Sequence, residues 1–301
     1  MTSNAILDVN HIWKKIGHHV IINDVSLKLY EGDILGFIGA NGAGKTTFIK
    51  LILGLQSFNG GSVMINGYPI KKDFEKAIYH VGAVVETPDL YMYMSGYDHL
   101  RMEASIYNIG EDRIQEVIQI IGLKEKIYDK VKKYSLGMRE RLGIGIAILH
   151  QPKLLILDEP MNGLDPEGIR DLKKLIRDLA YKEHMAILIS SHILSELENL
   201  CNRICILSKG CIVRDDSIDK IKTITDRVSY VMELSSTSLQ QFLYLYEKID
   251  GSHIRVKTTK DGLNTIIKTL LLNDISIYEI KRDDVSLEDI FLEATKESIH
   301  E

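Results

Sequence analysis

One eight-residue stretch constrains this chain more than any other. Gly39-Ala40-Asn41-Gly42-Ala43-Gly44-Lys45-Thr46 fits the pattern G-x-x-x-x-G-K-[ST]. It follows the short apolar run Ile34 to Ile38 and opens a helical pattern that continues through Leu53. Strand, loop and helix in that order are the setting the pattern needs. Glycines let backbone amides wrap phosphate oxygens without side-chain obstruction. The helix start adds a partial positive charge. Lys45 is then the cation for β- and γ-phosphates, and the Thr46 hydroxyl, with Thr47 beside it, is a candidate ligand for Mg²⁺. A chance match to the four fixed positions arises in roughly one such chain per hundred, and the strand–loop–helix setting lowers that further.

The rest of the chain is read around this loop. Ile6 to Val9 and Val20 to Leu29 have strand character, with alternation in Val25-Ser26-Leu27-Lys28-Leu29. Ser62 to Ile65, Val81 to Val85, Leu154 to Leu157 and Ala186 to Ser190 are further strands, and Gly168 to Lys182 is a helix. Ile204 to Leu207 and Ile212-Val213 form a closing hairpin around Lys209-Gly210. Alternating strands and helices predict an α/β fold with a mainly parallel sheet core. An antiparallel β-subdomain precedes it. A helical subdomain, where Ile114, Val117, Ile118 and Ile121 set the period, is inserted over about 88–152. Near residue 226 the pattern restarts, which divides the chain into residues 1–225 and a small α+β extension over 226–301. In the extension, strands are expected at Val228 to Leu234, Ile254 to Val256 and Ile275 to Ile280. Helices are expected at Ser238 to Tyr246, Gly262 to Leu272 and Ser286 to Ala294.

Leu154-Leu155-Ile156-Leu157 ends in Asp158-Glu159. A buried parallel strand delivers its last residues to the sheet edge where ligands bind. Asp158 is placed to hold Mg²⁺ through water. Glu159, one residue on and facing the other way, is a candidate base for an attacking water. A solvated strand end is the plainer reading of two acids, and the phosphate loop is what overrides it.

Composition excludes several alternatives. The chain has 301 residues, 45% hydrophobic and 26% charged, with a net charge of -5. That length suits about two domains, and the mild acidity argues against a nucleic-acid partner. Cys201, Cys205 and Cys211 have no paired spacing, so buried thiols are expected rather than a disulfide framework or metal site. No apolar run approaches the roughly 18 residues of a membrane helix, and the opening Met1-Thr2-Ser3-Asn4 is unlike a signal peptide. A cytoplasmic protein is expected, with any membrane role exercised through a partner.

Between the loop and the acids lies Tyr134-Ser135-Leu136-Gly137-Met138-Arg139-Glu140-Arg141-Leu142. This resembles the signature of ATP-binding-cassette ATPases, in the variant form found among bacterial exporters. Three of the five positions of the usual Leu-Ser-Gly-Gly-Gln core differ, while Ser135 and Gly137 are retained. Asn162-Gly163-Leu164-Asp165 resembles the loop that bridges two such cassettes. His192 resembles the switch histidine that contacts the γ-phosphate. Glu86 occupies the position where most members carry a glutamine that senses nucleotide and metal and touches the permease. Ile16-Gly17 stands where an aromatic residue usually stacks on adenine, with Trp13 nearby. The resemblance covers Ile6 to about Thr223. The tail, with Ser286-Leu287-Glu288-Asp289-Ile290-Phe291-Leu292, resembles a C-terminal extension of bacterial exporter ATPases.

The resemblance implies a P-loop ATPase cassette. Its cofactors are ATP and Mg²⁺, and its partners are a polytopic membrane permease and a second cassette, read as a second copy of this chain. It implies a location on the cytoplasmic face of the membrane, peripheral through the permease. It also implies that Ser135 and Gly137 reach the γ-phosphate held by the other copy. Glu86 and the variant signature resemble the bacitracin-resistance and lantibiotic-immunity ATPases in particular. An exporter of another drug is the nearest alternative. A soluble ATPase of translation or DNA repair fits less well, because the chain carries neither two cassettes nor a long coiled coil.

Overall fold

The computed structural model describes residues 4–197, 199–218, 220, 228–235 and 246–283. The chain divides into two compact units, with the break between Asp216 and Ser217.

In chain order the first unit contains β1 (Leu7–Ile16), β2 (His19–Leu29), β3 (Ile34–Ile38), α1 (Lys45–Ile52), β4 (Gly60–Ile65), β5 (Tyr68–Pro69), α2 (Phe74–Ile78) and β6 (Val81–Val84). There follow α3 (Gly96–Ile106), α4 (Glu111–Ile120), a 3₁₀ turn at Val131–Lys133 and α5 (Leu136–Ile148). The unit ends with β7 (Leu154–Asp158), α6 (Pro166–Lys182), β8 (Ala186–Ser191), α7 (Leu194–Leu197), β9 (Arg203–Ser208) and β10 (Cys211–Ser217). One sheet has the order β2-β1-β4-β5 and is antiparallel. The other has the order β10-β9-β3-β8-β7-β6, with β3 parallel to β8 and β9, and β7 parallel to β6 and β8.

These elements follow from the residues in them. β3, β7 and β8 are buried at every position, as strands covered on both faces must be. β2 alternates over Val25 to Leu29 because one face meets the core. α6 buries Leu172, Leu175, Ile176, Leu179 and Ala180 along one stripe. It starts at Asp165, whose carboxylate accepts from the Gly168 amide, with Pro166 in the first turn. α1 joins the two sheets. Its Phe48, Ile49, Leu51 and Ile52 share one core with Leu7 and Val9 of β1 and with Ile156 and Leu188. Phe48 stacks on Phe37 at 4.7 Å between ring centroids.

β1 runs to Ile16, well beyond the Val9 at which sequence alternation stops. His11 takes a positive φ of 49° and the register shifts between Val9 and Ile12. A bulge of this kind breaks the period of two without ending the strand. β5 and α2 are additions of two and five residues, too short to leave a periodic signal. Cys201 and Cys205 are buried thiols, and burial pushes Cys201 up to about 12. Cys211 is half-buried.

The second unit contains β11 (Val228–Leu234), β12 (Glu247–Lys248), β13 (His253–Thr258), α8 (Lys260–Leu272) and β14 (Ile277–Asp283). Its antiparallel sheet has the order β12-β13-β11-β14. Met232, Leu234, Ile254, Val256 and Leu270 form its own core. The helix expected over Ser238 to Tyr246 lies almost wholly outside the described residues, and that over Ser286 to Ala294 lies wholly outside them.

Candidate functional site

Four strands of the parallel sheet deliver their C-terminal ends to one place, the edge where such sheets bind ligands. β3 runs into the loop Gly39 to Gly44, β7 into Glu159, β8 into His192 and β6 into Glu86. Gly44 caps α1 at φ 108°, a conformation that side-chain-bearing residues rarely adopt. No side chain caps this helix and no acid stands in its first turn. Its leading amides and partial positive charge are therefore left for an anion. Asn41 and Gly42 are exposed, Ala43 is buried, and Thr46 and Thr47 are half-buried. The Ala43 amide donates to Ala40 O at 3.0 Å and closes the loop.

Lys45 is a buried cation, 6% exposed. Its Nζ donates to Gly39 O at 2.7 Å and lies 3.2 Å from Glu159 Oε1. The other Glu159 oxygen lies 2.7 Å from His192 Nδ1. Asp158, also buried, accepts from the Thr46 hydroxyl at 3.0 Å and from the Ser190 hydroxyl. Ser190 in turn accepts from the Glu159 amide at 2.9 Å. Lys45, Thr46, Asp158, Glu159 and His192 thus form one connected network. Asp158 faces Thr46, while Glu159 faces Lys45 and His192.

Glu86 closes the constellation from β6. It is exposed and pairs with Lys50 of α1 at 3.2 Å. Glu86 and Glu159 both hold positive φ, 63° and 53°. Strain of this type at non-glycine residues concentrates at functional sites.

A cavity of roughly 290 Å³ opens among Thr46, Glu86, Leu136, Glu140, Asp158 and Glu159. Oxygen donors of hydroxyl and carboxylate type are the set that Mg²⁺ takes, with waters and phosphates completing an octahedron. Thr46 and Asp158 fit that role.

Ser135 is exposed and N-caps α5, accepting from the Met138 amide at 3.2 Å. Gly137 lies close to Gly168, and Leu136 packs against Gly163 of the 162–165 loop. Ser135, Gly137 and Asp165 therefore meet around the starts of α5 and α6. Trp13 is tied to β4, opposite Gly60 in the register, whereas Ile16 is exposed and faces His19 across the hairpin.

Sequence reasoning did not single out Ser190, Lys50 or Glu140. Ser190 is a fully buried hydroxyl at the end of an apolar strand, which was the available signal. Glu140 is 6% exposed, and burial pushes its carboxyl up to about 7. In the unfolded chain that carboxyl titrates near 4.3. The neutral acid is favoured by the fold, so its contribution is fully present below the unfolded pKa and is lost as pH rises through about 7. Glu140→Gln, neutral throughout, is expected to melt close to the parent near pH 4, below the unfolded pKa, and above it at pH 8 by at least about 2–4 °C. Thermal denaturation in EDTA measures this. A variant that melts below the parent at pH 8 would contradict the assignment.

The ABC transporter family matches residues 22–162. The uncharacterized ABC transporter ATP-binding protein YhcH of Bacillus subtilis (strain 168) is 43% identical, covering 99% of this chain and 98% of its own. The bacitracin transport ATP-binding protein BcrA of Bacillus licheniformis is 35% identical, covering 96% of this chain and 97% of its own. A solved ATP-binding subunit of an ABC transporter superposes with a TM-score of 0.65 at 30% identity, over 73% of this chain and 92% of that one. With the phosphate loop, the paired acids and the parallel sheet in place, the chain belongs to the ATP-binding-cassette ATPases of ABC transporters.

Proposed function

We propose that this ATPase powers an exporter that removes antimicrobial peptides from the membrane, working as a pair of cassettes beneath a separate permease. The observation that carries the catalytic part is the network from Lys45 through Glu159 to His192, beside the Thr46–Asp158 pair. In this reading the loop amides, Lys45 and Thr47 bind the phosphates. Thr46 and Asp158 hold Mg²⁺, with Glu86 reaching from the facing wall. Mg²⁺ supplies charge neutralisation for the transferring phosphoryl group. Glu159 accepts a proton from the attacking water and His192 orients that carboxylate. Ser135 and Gly137, at the exposed start of α5, serve the γ-phosphate held by the second copy. Asp165, which caps α6 within its own chain, lies in the loop that meets that copy. Ile16 offers adenine an aliphatic face.

Among the described residues no helix is long and apolar enough to cross a membrane. A permease therefore supplies the membrane path, and it holds the ATPase at the cytoplasmic face. Tyr91, Met92 and Tyr93, exposed just after Glu86, and Met102 and Ile106 of α3 give it an apolar docking patch. Resemblance to a bacitracin transport protein over nearly the whole chain supports a peptide cargo.

The test is a susceptibility panel in a host carrying this ATPase with its permease. Deletion is expected to raise sensitivity to bacitracin or lantibiotics, and Glu86→Gln to alter resistance while purified-cassette ATPase activity stays within a few-fold of the parent. Unchanged sensitivity to all such peptides, with a change toward another drug, would overturn the cargo. Loss of hydrolysis in purified Glu86→Gln would overturn the coupling role.

A further inference from the structure

Two lysines of α1 meet acids of the site, and the mechanism above uses only one of them. Lys50 lies four residues after Thr46, so the two side chains share one face of α1 on successive turns. Lys50 is half-buried, and its Nζ donates to Glu86 Oε1 at 3.2 Å. Glu86 stands just past the end of β6, and its left-handed backbone, φ 63°, sets the direction in which the side chain leaves the chain.

Glu86 lines the cavity with Thr46, Asp158 and Glu159. Its three unlike partnerships sort the charges there. Glu159 pairs with Lys45 and His192. Asp158 accepts from the hydroxyls of Thr46 and Ser190, neither of which carries a charge. Glu86 pairs with Lys50. Each lysine thus stands against one glutamate, and the Asp158 charge is left for the cation that accompanies ATP. A glutamate at 86 puts a full negative charge on the wall of a cavity that takes a triphosphate, where a neutral amide would add none. Like charges at such range repel, and a cation in contact with one of them cancels most of that repulsion.

We propose that Lys50 is a positioning residue for Glu86: it anchors the carboxylate at the wall of the ATP cavity and offsets its charge against the incoming phosphates. Glu86 is thereby kept within reach of the site without repelling the nucleotide. Lys50 acts on ATP chiefly through Glu86, so its effect on binding depends on which residue stands at 86.

The inference rests on reading this cavity as the MgATP site. The experiment measures MgATP affinity by calorimetry, at low and at high ionic strength, for the parent, Lys50→Met, Glu86→Gln and the double variant. A partly exposed ion pair is worth about two- to fivefold. Lys50→Met is therefore expected to bind MgATP about two- to fivefold more weakly at low salt. The deficit should shrink at high salt, which screens the unpaired Glu86. In the Glu86→Gln background the same substitution is expected to have a smaller effect, because the charge it offset is gone. A structural role for Lys50 would persist in both backgrounds and at both salt concentrations. Lys50→Arg, which keeps the charge, is expected to bind as the parent does, and it replaces the methionine variant in the comparison if that one folds poorly: a loss with arginine that Glu86→Gln does not relieve counts against the role. Equal loss in the two backgrounds, or parent-like affinity of Lys50→Met at low salt, overturns the inference alone. If the parent binds no MgATP, the reading of the cavity itself fails.

Discussion

Glu159→Gln is expected to lower ATP turnover by about 10²- to 10⁴-fold, the range that a positioned base contributes, while MgATP binding persists. The amide keeps the shape and can still meet Lys45 and His192, which flank the carboxylate at 3.2 and 2.7 Å. It cannot accept a proton from water. Bound ATP is then not consumed, and the variant should accumulate as an ATP-dependent dimer. Steady-state hydrolysis and size exclusion with and without ATP measure the two halves of this result. Turnover near that of the parent would remove Glu159 from the role.

Lys45→Ala is expected to lose MgATP affinity by about 10²-fold. A charge-assisted hydrogen bond is worth about 1.5–3 kcal/mol. Removing this cation also leaves the Glu159 carboxylate uncompensated beside the phosphates. Mixing Lys45→Ala with Ser135→Arg should restore part of the hydrolysis that each lacks. One composite site in such a heterodimer combines an intact loop from one chain with an intact α5 start from the other. Specific activity of the parent should also rise with protein concentration. Hydrolysis independent of concentration across the dissociation range, with no rescue on mixing, would exclude a shared site.

What could be read from the sequence was whatever local chemistry dictates. The phosphate loop was legible because it needs glycines and a lysine at fixed spacing. The acids at 158–159 were legible because a buried parallel strand has only one end at which to present them. The helix expected from Gly168 instead starts at Pro166, because the Asp165 cap and the proline fix its first turn. Ser190, Lys50 and Glu140 were not legible, because each gains its meaning from a partner on a distant segment. Ser190 matters through Asp158, Lys50 through Glu86, and Glu140 through the cavity that α5 closes. The full length of β1 was hidden for a different reason, since a bulge at His11 removes the alternation by which a strand is recognised.

The left-handed backbone at Glu86 and Glu159 has a consequence for how such a site changes over generations. Each carboxylate sits where glycine would be more comfortable, at a cost of about 1 kcal/mol or more per residue. Selection for thermal robustness alone would push both positions toward glycine, relaxing two neighbouring strand ends and discarding the reach of both side chains. In this chain both positions keep the carboxylate and bear the strain. Directed evolution under heat, without a transport requirement, should erode these two glutamates early.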